Sequence, residues 1–334
     1  MAGTIDRRSF LKIAGVSLGF GALYRVAPAL ASGGAAEGLA TALARKNGER
    51  VTPFSFVQLS DSHVGFSGPP NPMGTRAFER AVEIVNRLPQ TPDLILFTGD
   101  LTHDAEDQAQ RQQRMRRFQE IAGGLKVRVR KMVPGEHDAG IDGGALFHQF
   151  FGESSYSFDH RGVHFVALDN VSRAFPEVGA ERLAWLRKDL ARYTPTTPII
   201  VFTHRPLFDL KPEWEWFTRD GDEVMKVLWP YENVTVLYGH IHREDVHDTP
   251  HCHHVAARSL IFAFPDPEKT DEIKPLPFDA ERPFRNLGPR VVHASPGVPP
   301  ATISLSLEEV ELTMREHSGT EGFQQLLRPS SLDR

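Results

Sequence analysis

Residues 53–63 read Pro-Phe-Ser-Phe-Val-Gln-Leu-Ser-Asp-Ser-His, and this stretch decides the fold. The run from Pro53 to Leu59 is mostly apolar and predicts a short buried strand. Two ionisable residues, Asp61 and His63, follow that strand directly. In α/β folds the carboxyl ends of the strands converge on the ligand crevice, so both residues are candidates for a functional site.

Four further predicted strands carry ionisable residues at the same end. Such residues are rarely buried without a partner, so their repetition at strand ends indicates a shared site. The strands and the residues that follow them are Asp93–Phe97 with Asp100, Val127–Val133 with Glu136 and His137, Pro198–Phe202 with His204, and Val234–Leu237 with His240 and His242.

These carboxylates and imidazoles are eight in number when Asp61 and His63 are included. Gathered in one crevice, they would repel one another or stay unsatisfied unless they bind cations. One tetrahedral zinc takes about four ligands, which is fewer than the set provides. Two metals about 3.5–4 Å apart that share a carboxylate fit the set better. Oxygen and nitrogen ligands without a thiolate suit manganese, iron or zinc, and the set does not choose among them.

The remaining segments predict helices between these strands and more strands after them. This alternation is typical of one α/β domain with two central sheets flanked by helices. The predicted helices are Thr75–Leu88, Ala105–Ile121 with Asp104 as N-cap, and Gly179–Tyr193; a hairpin joins Tyr156–Phe158 to Val163–Leu168, and later strands are expected at Ser259–Phe262, Val291–His293, Thr302–Leu307 and Val310–Met314.

Composition excludes several classes of protein. The chain has 334 residues, 40% of them hydrophobic and 24% charged, as in soluble globular domains. Its net charge of −5 argues against a nucleic-acid-binding surface. A single cysteine, Cys252, rules out an intramolecular disulfide framework. No apolar run outside the N-terminus is long enough to span a bilayer.

The N-terminus predicts export. Arg7 and Arg8 precede Ser-Phe-Leu-Lys and an apolar stretch from Ile13 to Leu30, and Ala29-Leu30-Ala31 supplies a small-x-small cleavage site. The paired arginines resemble the twin-arginine export signal, so we expect the export machinery as a partner and a periplasmic or secreted location. An ordinary secretory signal or an uncleaved anchor is the alternative. No stable membrane span is expected after cleavage.

The predicted domain organisation follows from these boundaries. Residues 1–31 form the signal peptide and residues 32–50 a flexible lead-in. The main domain is expected at 51–317, with a proline-rich excursion at 264–300 that is either a lid or a surface loop. Residues 318–334 form a C-terminal tail.

The ordered strand-end motifs together resemble the calcineurin-like metallophosphoesterase family. The likeness runs from about residue 54 to 243 and implies a four-layer α/β-β/α sandwich, metallophosphoesterase-like, with a dinuclear site at its edge. The motifs that carry it are Asp61-x-His63, Gly99-Asp100, Gly135-Glu136-His137-Asp138, His204 and Gly239-His240-x-His242.

The resemblance also implies a role for each residue. Asp61, His63 and His242 hold the first metal, Asp100 bridges both metals, His204, His240 and Glu136 hold the second metal, His137 is the catalytic histidine, and Asp138 orients it.

The function implied is hydrolysis of a phosphate mono- or diester by attack of a metal-bridging hydroxide. His137 would protonate the leaving oxygen. A non-hydrolytic periplasmic metal- or ligand-binding protein on the same fold is the alternative, and assays on both ester classes with metals added back separate the two.

Glu136 departs from the family pattern, which usually has Asn at that position. A carboxylate there adds a negative charge, which should hold the metals more tightly and repel an anionic phosphate. The alternative is that Glu136 swings out and leaves the second metal weakly held.

Other residues have two interpretations each. His103 sits either at the rim of the site or, as we favour, at a helix entry. The run His251-Cys252-His253-His254 is either a third metal site or, preferably, a surface or supporting segment. Trp214, Trp216 and Phe217 form either an apolar wall beside the leaving group or a packed loop anchor.

Overall fold

The computed structural model describes residues 51–297, 303–312 and 327–329, all in the unit Glu49–Arg334. The predicted signal peptide at 1–31 and lead-in at 32–50 lie outside the described residues, as does most of the predicted tail at 318–334. Within that tail, residues 327–329 form a strand of the first sheet.

The first sheet is built around the strand that opens the domain. Three of its strands run parallel to one another, and β10 lies antiparallel beside β1. Its spatial order is β12 (Leu327–Pro329), β11 (Ile303–Val310), β10 (Arg290–Pro296), β1 (Phe54–Leu59), β2 (Leu94–Thr98) and β3 (Arg130–Val133).

The second sheet has four parallel strands at its centre and an antiparallel strand at each edge. Its spatial order is β4 (Tyr156–His160), β5 (Val163–Ala167), β6 (Ile199–Phe202), β7 (Val234–Tyr238), β9 (Cys252–Ala256) and β8 (Asp245–Asp248).

Helices cover the outer face of each sheet. Helices α1 and α2 pack on the first sheet, and α5 and α6 pack on the second. The helices are α1 (Arg76–Val85), α2 (Gln108–Gly123), α3 (Glu136–Ala139), α4 (Ala145–Phe151), α5 (Ala180–Leu190) and α6 (Gly221–Leu228), with a 3₁₀ turn at Pro212–Trp214.

The two sheets pack face to face through an apolar core. Phe56 of β1 meets Phe165 of β5 edge to face, with ring centroids 5.9 Å apart. On the outer face of the first sheet, Phe78 of α1 stacks on Phe118 of α2 at 5.3 Å. The central strands β1, β2, β5, β6 and β7 are buried along their whole length, so both of their faces are covered. The chain is therefore a helix–sheet–sheet–helix sandwich, which confirms the predicted fold class.

Several boundaries differ from the sequence predictions. Asp107, not Asp104, caps α2, because its carboxylate accepts the amides of Ala109 and Gln110. Residues 259–262 are not a strand, since their backbone groups bind the loops of the site instead of a sheet neighbour. The two strands expected at Thr302–Leu307 and Val310–Met314 are a single strand as far as the described residues show.

The proline-rich excursion is shorter than predicted. It is irregular up to residue 289. Strand β10 begins at Arg290 and pairs with β1 and β11. The sequence reading also missed β8, β9, α4 and α6. Among the described residues, no helix combines the length and the hydropathy that a membrane crossing needs.

Candidate metal centre

A first group of four buried side chains meets where the two sheets come together. Asp61 and His63 follow β1, Asp100 follows β2, and His242 follows β7. One nitrogen or oxygen atom from each lies within 4.8 Å of all the others. His242 Nε2 is 3.3 Å from Asp61 Oδ1, and His63 Nε2 is 3.3 Å from Asp100 Oδ2. The four side chains could hold one metal ion.

A second group contains Glu136, His204 and His240. Glu136 Oε2 lies 2.9 Å from His204 Nε2, and Glu136 Oε1 lies 2.8 Å from His240 Nδ1. Glu136 therefore points into the site, and the alternative that it swings out is wrong. Asp100 connects the two groups, because its Oδ2 is 3.3 Å from His63 Nε2 and 3.4 Å from His204 Nε2.

Backbone carbonyls orient three of these histidines. His204 Nδ1–H donates to Thr98 O at 2.7 Å, and His242 Nδ1–H donates to Phe262 O at 2.9 Å. His240 donates from Nε2 to Glu215 O at 3.2 Å. A ring nitrogen that donates leaves the other nitrogen with a free lone pair in the neutral ring. In each case that free nitrogen faces the carboxylates, as in metal-binding histidines.

The donor atoms of the second group fit a cation better than they fit one another. His204 Nε2 and Glu136 Oε2 are both buried and neither has a hydrogen-bond partner among the described residues, although they are 2.9 Å apart. Leaving two such atoms unsatisfied is costly in a protein interior. A metal ion between them removes that cost, so the residues present fit the metals that the sequence predicts.

The backbone is strained where most of these ligands sit. Five of them have positive φ, between 40° and 66°, a region that non-glycine residues rarely adopt. Strain of this kind is concentrated at functional sites, where the surrounding fold holds it. The five are Asp61, His63, Asp100, His240 and His242.

Two glycines leave room for the ligands. A Cβ atom on Gly135 would lie 2.0 Å from Asp100 Oδ1, and one on Gly239 would lie 2.0 Å from Ser60 Oγ. Neither neighbour is a flexible chain end, so any larger residue displaces the site loops. This explains the glycine that precedes Glu136 and the one that precedes His240.

His137 lies at the mouth of the site between carboxylates. Its Nε2 is 4.0 Å from Asp100 Oδ2, and its side chain is 30% exposed. Burial alone would lower the pKa of His137. The charges of Asp100, Asp104 and Glu136 and a hydrogen bond to Asp104 outweigh burial and raise this pKa to about 10 in the metal-free chain. A protonated imidazole in this position can deliver a proton to a leaving oxygen.

The prediction that Asp138 orients His137 is wrong. The Asp138 carboxylate accepts the amides of Leu101, Thr102 and Gly135 and so ties the site loops together. Asp104 takes the predicted role, because its Oδ1 lies 2.8 Å from His137 Nδ1. Sequence reasoning assigned Asp104 to a helix cap, and only its position four residues after Asp100 pointed to the site.

His103 lies at the rim of the site, contrary to the interpretation we favoured. Its ring stacks on His137 with centroids 4.8 Å apart, and its Nδ1 is 3.2 Å from His63 Nδ1. Three half-buried phenylalanines line the same side: Phe66, Phe262 and Phe264.

The other candidate features belong to the packing of the fold. Trp214 and Trp216 are 4% and 1% exposed and meet edge to face, so they anchor their loop. No group of converging metal-binding side chains within residues 51–297 includes His251, His253 or His254. The Nδ1 atom of His253, for example, contacts Asp248.

Arg205 is a site residue that sequence reasoning missed. It follows His204 directly, and its Nη2 lies 3.3 Å from Glu136 Oε1. Burial raises the pKa of the Glu136 carboxyl, but the charges of His240 and Arg205 outweigh it and hold that pKa well below its usual value. The adjacency of Arg205 to a predicted ligand was the only signal in the sequence.

Comparison with known proteins gives one family and consistent relatives. The family described as "Calcineurin-like phosphoesterase" matches residues 54–244, more than half of the chain. A 3′,5′-cyclic-nucleotide phosphodiesterase of Nostoc sp. is 24% identical over 64% of this chain and 80% of the relative. A serine/threonine-protein phosphatase of Danio rerio is 27% identical over 49% of this chain and 60% of the relative.

A solved structure shares the fold. A dimetal phosphatase from Danio rerio superposes with a TM-score of 0.52 at 13% identity, over 78% of this chain and 96% of that one. At that identity the likeness concerns the fold alone.

Proposed function

This chain belongs to the calcineurin-like phosphoesterase family and is a phosphoric ester hydrolase, and from that premise we propose an exported enzyme with two metal ions. The substrate is a phosphate mono- or diester. The first metal is held by Asp61, His63 and His242, the second by Glu136, His204 and His240, with Asp100 shared between them.

The position of Asp100 carries this proposal. One oxygen of its carboxylate lies within 3.4 Å of a histidine nitrogen from each of the two ligand groups. A single carboxylate between two sets of ligands is the usual arrangement in two-metal sites for phosphoryl transfer. A site for one metal needs no such shared residue.

The residues of the chain and the metals have separate tasks. When bound at these residues, metal ions would supply a hydroxide nucleophile from water and neutralise charge on the phosphate. His137 would deliver a proton to the leaving oxygen, and the contact of its Nδ1 with Asp104 keeps its ring in place. The phenylalanines Phe66 and Phe262 exclude water from one wall of the site.

Metal analysis and activity assays on purified protein test this function. We expect two metal ions per chain in the protein as isolated, and metal-dependent hydrolysis of 4-nitrophenyl phosphate or bis(4-nitrophenyl) phosphate after chelation and addition of manganese, iron or zinc. Stoichiometric metal binding without hydrolysis of either ester would instead identify a binding protein on this fold.

Export is a separate part of the proposal and rests on the paired arginines at positions 7 and 8. Replacing Arg7 and Arg8 together by lysine keeps the charge but removes the guanidinium groups of the signal. We expect the double variant to stay unprocessed in the cytoplasm. Arg25→Lys, the same change outside the pair, is the matched control and should be exported normally. Normal export of the double variant contradicts the twin-arginine assignment.

A further inference from the structure

Arg205 is a buried cation at the edge of the metal centre. It is 5% exposed, and its guanidinium contacts a backbone carbonyl, the Glu136 carboxylate and, at 3.8 Å, the solvent-exposed carboxylate of Glu215. Nη1 donates to Glu215 O at 2.8 Å, and Nη2 lies 3.3 Å from Glu136 Oε1. Its Nε is buried without a hydrogen-bond partner among the described residues. A buried guanidinium is costly unless a carboxylate compensates it, and Glu136 is the nearest one.

The same backbone carbonyl fixes Arg205 and a metal ligand. Glu215 O accepts from Arg205 Nη1 at 2.8 Å and from His240 Nε2 at 3.2 Å. Glu215 has a positive φ of 59°, a strained backbone conformation for a residue other than glycine, and its carbonyl lies between these two donors. Arg205, His240 and Glu136 therefore form one rigid unit.

Charge counting explains why Glu136 and Arg205 occur together. Asp61, Asp100 and Glu136 bring three negative charges to the site, one more than the family pattern with Asn at position 136. Arg205 offsets that additional charge within 3.3 Å. The site keeps the net charge of two carboxylates. The sequence alone led us to expect that Glu136 repels anionic phosphate, because the contact with Arg205 is not evident from the sequence.

We propose that Arg205 is the positioning counter-ion of Glu136, so that the two side chains together replace one neutral ligand of the second metal. Arg205 keeps Glu136 directed at His204 and His240 and cancels its charge toward the phosphate anion. This inference rests on the proposed two-metal function. It makes the affinity for phosphate depend on the sum of the charges at positions 136 and 205.

The test compares four variants of the full chain with the wild type: Glu136→Asn, Arg205→Met, the double variant, and Arg205→Lys. The probes are Mn²⁺ binding by calorimetry, metal content by mass spectrometry, and inhibition by inorganic phosphate. Arg182→Met is the matched control. Arg182 Nη2 lies 2.7 Å from Asp169 Oδ2, and this ion pair is not part of the proposed metal centre. The control variant should leave all three measurements unchanged.

The expected changes have opposite signs. Arg205→Met leaves an uncompensated carboxylate, so phosphate should inhibit roughly tenfold less well while the second metal is retained. Glu136→Asn leaves an uncompensated cation, so phosphate should inhibit roughly tenfold better while the second metal binds less tightly. The double variant should return phosphate inhibition to near the wild-type value, and Arg205→Lys should stay within about threefold of it.

Two outcomes overturn the inference. One is unchanged affinity for the second metal together with unchanged phosphate inhibition in Glu136→Asn, which means that Glu136 acts on neither the metal nor the phosphate. The other is phosphate inhibition in the double variant that is no closer to wild type than in Arg205→Met. If Arg205→Met does not fold, the Glu136→Asn and Arg205→Lys results decide. Only one metal in the wild type would overturn the two-metal proposal itself.

Discussion

At the scale of single residues, the contact between Asp104 and His137 adds to the charge of Asp100 in keeping the His137 imidazole protonated. Asp104→Asn removes a charge but keeps the shape of the side chain. We expect about tenfold lower turnover, a fraction of the roughly 10²–10⁴-fold that general acid–base catalysis contributes. Asp107→Asn is the control, because Asp107 caps α2 and does not contact His137. Equal losses in both variants would contradict the assignment.

The same contact predicts a pH dependence of stability in the metal-free protein. Burial lowers the pKa of His137, but the neighbouring carboxylates raise it to about 10, above its value of 6.5 in the unfolded chain. The contribution of protonated His137 to the free energy of unfolding is therefore fully present below pH 6.5, and it is lost as the pH rises through about 10. Urea unfolding between pH 6 and 10 measures it, and Asp104→Asn should flatten the curve.

Asp100 and His137 should respond differently to mutation. Asp100→Asn removes the shared carboxylate, so we expect loss of bound metal and more than roughly 100-fold lower activity. His137→Ala leaves both ligand groups intact and should retain the metal while turnover falls by roughly 10²–10⁴-fold. Metal analysis of the two purified variants makes the distinction. Metal loss in His137→Ala would show that His137 is itself a ligand.

The candidate ligands could be predicted because each one follows a predicted strand, and most of these strands are apolar runs. The polar residues behind them could not, because their contacts cross between loops. Asp138 is next to His137 in sequence, but adjacent side chains on helix α3 point in different directions. Asp104 reaches His137 from 33 residues away. The contact of Arg205 with Glu136 depends on how the loop after β6 packs in the fold, which the sequence does not show.

At the scale of elements, the strands buried on both faces were predicted, whereas β8 and β9, which carry several polar residues, were not. Strands β1, β2, β6 and β7 are apolar runs, so their pattern is plain. Strand β9 contains two histidines, and its position is set by pairing with β7.

A buried ion pair joins elements of both sheets. Arg290 of β10 pairs with Glu309 of β11, and Arg290 Nη2 donates to Ala256 O of β9 at 2.6 Å. Arg290→Met leaves Glu309 buried without its partner, so we expect a loss of about 3–5 kcal/mol in the free energy of unfolding. Urea denaturation measures it. Arg282→Met, at an exposed pair with Asp279, should cost at most about 1 kcal/mol.

Recovery in a second variant checks the cause of that loss. Adding Glu309→Leu to Arg290→Met removes the uncompensated carboxylate and should restore part of the stability. A loss below about 1 kcal/mol in Arg290→Met alone would mean that the pair does not support the packing of the sheets.

At the scale of the whole molecule, metal binding should stabilise the fold. Metals bind the folded chain and relieve repulsion among ligands held on a strained backbone. When the concentration of free metal is 100 times its dissociation constant, binding adds about 2.7 kcal/mol to the free energy of unfolding. Calorimetry with and without chelator should therefore show a fall in Tm of roughly 5–10 °C on metal removal. In Asp100→Asn the chelator should have little effect, and an equal shift there would point to metal bound elsewhere.

The order of the ligands along the chain sets when metal can first be captured during synthesis. His63 and His242 share one group, yet 179 positions separate them. The second group likewise ends on His240. A nascent chain that has not yet reached β7 therefore offers only incomplete coordination, whatever the local metal concentration. Metal retention thus reports that the chain has been made past β7 and has folded, and chains interrupted before residue 240 should lose metal that full-length chains keep.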